Sequence, residues 1–160
     1  NMKMVEVLEI QKEKELEIIN EKFEEHKDNY LEGYSIRLKN LIKISRENNI
    51  RPVLITQPAL YGNEIDDVTK VDLGTIAVEG ANGKIAWKIF EFYNDITREV
   101  GRAQKVLVID LAKEMPKSTR YYYDYYHFTN AGTEKVAEII HNKLQPFLES
   151  NFSNYSKNIN

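Results

Sequence analysis

Asp124 and His127 lie three residues apart in the run DYYHFTNAG, Asp124 to Gly132. At that spacing a carboxylate can accept the Nδ1–H of the imidazole, which fixes the tautomer and leaves Nε2 free as a base. The carboxylate would also stabilise the imidazolium formed when that base takes a proton. The same pair without catalysis pins a loop to a helix, so the spacing alone admits both roles. Gln57 closes an apolar run and could offer its amide either to a substrate or to the loop backbone. Tyr126 belongs to a group with Tyr121, Tyr122, Tyr123 and Tyr125 around Asp124. Such rings can wall an acyl pocket or stack on sugar faces. Most of them are expected to fill core beneath the loop or to shield Asp124.

Two apolar runs must carry these residues. Val53 to Thr56 and Val106 to Asp110 lack alternation, which suits parallel strands covered on both faces. In open α/β sheets ligands bind beyond the carboxyl ends of the strands, where Thr56-Gln57-Pro58 would lie. Asp110 ends the second run and is expected to bond local backbone. Between the runs, Lys84 to Gly101 has helical periodicity through Ile85, Ile89, Phe92, Tyr93, Ile96 and Val100, with Trp87 off that stripe. Gly101 is expected to end the helix. After His127, Thr129 or Asn130 is the N-cap of a last helix whose stripe runs from Thr133 to Leu148, with Gly132 allowing close packing and Pro146 kinking or ending it.

The first part of the chain reads as a Lys/Glu-rich amphipathic helix over Met2 to Lys27, with Val5, Leu8, Leu16, Ile19 and Phe23 on one face. Asp28-Asn29 is expected to break the chain, with a second helix beginning near Gly33 and ending at Asn48-Asn49. Tyr61 to Gly83 is rich in Gly, Asn and Asp and reads as a long loop, of the kind that serves as a lid or specificity loop. Asp66-Asp67 within it is expected to be solvated and not a cation site. The chain thus divides into a helix over 1–28, an α/β region over 29–149 and a polar, frayed tail over 150–160.

RPVLITQPAL with its exit loop, VLVID, and DYYHFTNAG with its helix together resemble the later blocks of the SGNH (GDSL-like) hydrolase superfamily, over roughly Tyr30 to Leu148. The resemblance implies an α/β, three-layer flavodoxin-like sheet represented by its later strands and helices. It also implies ester hydrolysis, on an acyl or O-acetyl ester such as one on a carbohydrate, with His127 as general base, Asp124 orienting it, and no cofactor. The family's Gly-Asp-Ser nucleophile block, and the later glycine and asparagine blocks of the oxyanion hole, have no counterpart here. The chain therefore looks like the C-terminal half of such an enzyme, and Asn1 ahead of Met2 points the same way. With two core strands such a piece would leave an edge uncovered, to be met by an N-terminal half or by self-association. A non-catalytic interaction module and a degenerate glycan-binding homologue are the alternatives.

Composition narrows the remaining classes. The 160 residues carry a net charge of −3, with 42% hydrophobic and 29% charged residues, ordinary for one globular domain. An acidic balance argues against a nucleic-acid partner, and no apolar run is long enough to span a membrane. There are no cysteines, which leaves the compartment open, and His26, His127 and His141 are too scattered for a zinc site. Of the six serines, only Ser118 is near His127 in sequence, and its Pro-Lys-Ser-Thr setting is not a turn that presents a nucleophile.

Overall fold

The computed structural model describes residues 2–153, with side chains from residue 12 onward. Val5 and Leu8 of the first helical stripe, and the tail from residue 154, therefore lie outside what is described. The first helix, α1, spans Met2–His26. It does not break at Asp28-Asn29. A single wide turn over Lys27–Leu31 carries it directly into α2, Glu32–Glu47, so Gly33 lies within a continuous rod and not at a boundary. Such an insertion of one wide turn keeps the backbone ladder running where a break would expose it. Asn49 takes a positive φ of 59° just past the Asn48 cap, the left-handed exit expected of asparagine.

Strand β1 (Val53–Ile55) pairs in parallel with β4 (Leu107–Ile109), Val53 opposite Leu107 and Ile55 opposite Ile109. Among the described residues these two strands form a sheet of their own. Their crossover includes α3, Gly83–Gln104, capped by the Asn82 side chain, which accepts from Ile85 N–H. Gly101 does not end α3; the helix continues to Gln104 and leaves through Lys105 at φ 52°. Gly101 is instead the point where helix meets sheet, because a Cβ there would overlap Val108 Cγ2. The opposite faces of the strands meet the last helix, α5 (Asn130–Asn151): Ile109 and Leu107 pack with Ile139, Val136 and Ile140 in one core cluster. Thr129 is the cap of α5, accepting from Gly132 N–H at 3.1 Å. The helix runs through Pro146 and two residues into the stretch read as a tail.

The region between β1 and α3 is less open than its composition suggests. A hairpin of β2 (Ala77–Val78) and β3 (Ala81–Asn82) turns through Glu79 and Gly80, both at positive φ, as a tight two-residue hairpin turn requires. A short helix, α4 (Leu111–Glu114), follows β4. The first helix lies against α3 with Phe23 edge-on to Phe92 at 4.6 Å, while Leu16 from the expected apolar face is 58% exposed. No helix among the described residues is long and apolar enough to cross a membrane.

Candidate functional site

Asp124 sits at the tip of a narrow loop closed by a bridge between Tyr122 and Phe128. Its Oδ1 accepts the backbone N–H of Tyr126 and of His127, each at 2.8 Å. This is the local turn that an aspartate makes with its own chain. The turn brings the His127 ring back over the same carboxylate, where Nδ1 meets Asp124 Oδ2 at 2.7 Å. Those two backbone N–H groups, and then the ring, hold the Asp124 carboxyl below its ordinary pKa. An ionised carboxylate can only accept, so Nδ1 donates, and in the neutral ring the lone pair is then on Nε2. No described group bonds Nε2, the side chain is 67% exposed, and Tyr123 stacks on the ring at 5.6 Å.

The loop is fastened to the carboxyl end of β1. Leu60 N–H donates to Tyr125 O at 3.0 Å, and Tyr125 Oη reaches Ala77 O at 2.6 Å. Tyr126 turns inward against Tyr61, whose hydroxyl donates to Tyr126 Oη at 3.1 Å. Tyr122 is buried in the core cluster beneath, its hydroxyl without a described partner and its pKa raised by burial. Gln57 is exposed at the end of β1. Its backbone is clamped on both sides by the Asn94 amide, while its own Nε2 donates to Pro58 O at 3.2 Å, so the amide serves the loop. Tyr126 and His127 are thus neighbours in one turn, whereas no described hydrogen bond joins Gln57 to either.

Three polar groups take roles the sequence did not suggest. Asp66 is fully buried, not solvated. Its carboxylate accepts from the backbone N–H and hydroxyl of both Thr69 and Thr119. Burial alone would raise its pKa, but these four bonds outweigh it and hold the carboxyl well below the usual range. Neighbouring Asp67 takes the Ser118 hydroxyl. The 61–83 stretch is therefore tied at two points to the loop after α4, and Ser118 is buried and committed to the Asp67 carboxylate. The Asp110 carbonyl accepts from Lys113 and Glu114 N–H, but its carboxylate bonds no local backbone; Arg98 donates to both carboxylate oxygens at 2.8 Å, and the Thr56 hydroxyl joins them. Burial works against that carboxylate, and Arg98 with Thr56 overcomes it, so its pKa falls.

Lys117 is the third. Only 8% exposed, it lays its ammonium 3.2 Å above the Trp87 ring and donates to Ala59 O at 2.7 Å. Burial pushes its pKa down to about 8. Its stem passes so close to Gly62 that a Cβ there would sit 2.7 Å from Lys117 Cδ and Cε. The Asp66–Thr69 spacing is a legible turn signal; nothing in the run Pro116-Lys117-Ser118 marks a buried cation. Among the described residues no cluster of three or more acidic, histidine or cysteine side chains could hold a metal. No protein-family model matches the chain, and no curated protein sequence matches it.

Proposed function

We propose that this chain carries the general-base half of a serine-type ester hydrolase site, within a three-layer flavodoxin-like sheet of the SGNH kind. The observation that carries the reading is the His127 Nδ1–Asp124 Oδ2 bond of 2.7 Å, together with an exposed Nε2 that no described group occupies. A base oriented in this way takes the proton of an attacking hydroxyl and returns it to the leaving group. The packing of α3 on one face of the β1–β4 pair and α5 on the other supports the three-layer arrangement. So does the position of the loop beyond the carboxyl end of β1.

The nucleophile comes from elsewhere in this reading, because Ser118 is spent on Asp67. The free sides of β1 and β4 are where a complementary strand would add, bringing a Gly-Asp-Ser turn to His127. The substrate class is an acyl or O-acetyl ester, with Tyr123, stacked on the His127 ring, as the aromatic side chain beside the base. The chain by itself should hydrolyse nitrophenyl acetate no faster than free imidazole. Joined to a segment bearing the nucleophile, in cis or as a separate chain, it should gain activity that His127→Ala abolishes. Activity in the joined protein that survives His127→Ala would refute the assignment.

A further inference from the structure

The two long helices α1 and α3 run side by side in the same direction and are pinned at two levels. Glu15 meets Lys84 at 2.7 Å near one end, and His26 Nδ1 shares a 2.6 Å hydrogen bond with Tyr93 Oη near the other. Between the pins the helices part on the side facing the β2–β3 hairpin, leaving a cleft of about 640 Å3. That is within the range of small-molecule sites. Ile18, Lys22 and His26 on α1, and Ile85, Ile89 and Tyr93 on α3, recur every four residues along it. At 1.5 Å per residue the groove is about 12 Å long. Tyr61, Tyr126 and Val78 form its floor, and Glu79 and Gly80 of the hairpin turn its rim.

The lining restricts the occupant. Ile18, Ile85, Ala86, Ile89 and Phe90 make much of the wall apolar, and a peptide laid against it would strand backbone N–H and C=O groups at a cost. A hydrocarbon chain brings none. The polar end matters as well. The His26–Tyr93 bond uses Nδ1 and leaves His26 Nε2 without a described partner, in a lining that also includes Lys22. Lys22 is itself paired with Glu25, and Glu79 faces the rim, so the cleft holds little net charge to attract an ion without an apolar body.

We propose that this cleft is a binding site for a medium-chain acyl group, its chain lying between α1 and α3 and its carbonyl oxygen at the His26–Tyr93 end. The cleft shares Tyr126 with the loop that holds Asp124 and His127, but neither of that pair lines it, and the proposal stands whether or not the pair is catalytic. Titrating the full chain with hexanoate, octanoate and decanoate tests it, read by methyl resonances of Ile18, Ile85 and Ile89 and by the His26 ring nitrogens. Saturable shifts are expected at those groups, with affinity rising about 4-fold for each added methylene, from about 0.8 kcal/mol per buried CH2. Ile89→Trp, which fills the middle of the groove, should weaken decanoate at least about 10-fold while leaving the circular dichroism unchanged. The proposal is overturned if decanoate leaves these resonances unmoved, if it moves Leu41 and Ile44 on the exposed side of α2 instead, or if affinity is independent of chain length. A wild-type affinity retained in folded Ile89→Trp would overturn it equally.

Discussion

Replacing Lys117 with methionine keeps an unbranched side chain against Gly62 and Trp87 but removes the ammonium that the fold buries. The folded-state pKa of Lys117 is about 8, against an ordinary 10.5. Between those values the unfolded chain binds the proton that the folded chain has released, so stability rises with pH. Below about 8 the full cost of the buried charge is present, and above 10.5 it is gone. At 1.4 kcal/mol for each pH step, the span amounts to about 3 kcal/mol. The substitution also strands the Ala59 carbonyl, at about 1–3 kcal/mol, and removes the cation from the Trp87 face, at about 2 kcal/mol or less. The Trp87 contact is lost with the same proton as the charge, whereas the stranded Ala59 carbonyl costs about the same at either pH, so the change with pH isolates the net cost of burying the charge. Urea denaturation of both proteins at pH 7 and pH 10, followed by circular dichroism, measures the difference. Both proteins carry the same tyrosines and remaining lysines, whose titration largely cancels. The wild type should gain about 2–3 kcal/mol on the Lys117→Met protein across that interval. A gain below about 1 kcal/mol would show that Trp87 and Ala59 O compensate the lost hydration, and that burial does not dominate this ammonium.

Asp66→Asn leaves a group that can accept at only one oxygen while presenting an NH2 to the Thr69 and Thr119 donors. It should cost about 2 kcal/mol or more in urea denaturation at neutral pH. Because the Asp66 pKa is depressed, the wild-type advantage should be intact above pH 3.8 and shrink as the pH falls below it. Gly101→Ala should lower stability by about 1–3 kcal/mol through overlap with Val108, and Val108→Ala in the same protein should restore part of it. In Asp124→Asn the ring nitrogens of His127 should move toward the Nε2–H tautomer by 15N NMR, and ester activity in the joined protein should fall about 10⁴-fold. Unchanged ring shifts would show that the carboxylate does not orient the imidazole.

What could be read from the chain alone was what a few neighbouring residues decide among themselves. The Asp124–His127 bond was legible because every bond that makes the turn lies within three residues of Asp124. The cap at Thr129, the left-handed exit at Asn49, the two strand segments as apolar runs and the last helix were legible from local sequence as well. The expected break at Asp28-Asn29 failed because local turn propensity did not outweigh the packing that carries α1 on along α3. Gly101 was misread as a helix end because the demand for a missing Cβ comes from Val108, across the helix–sheet contact. Asp66 and Ser118 looked like surface loop residues until chain segments some fifty positions apart were brought together, Asp66 with Thr119 and Ser118 with Asp67. The Lys117 stack on Trp87 and the cleft between α1 and α3 are likewise decided by tertiary structure. Hydrogen bonds within a turn are encoded by spacing, whereas burial and the partners of a long side chain depend on which distant surfaces the fold places against it.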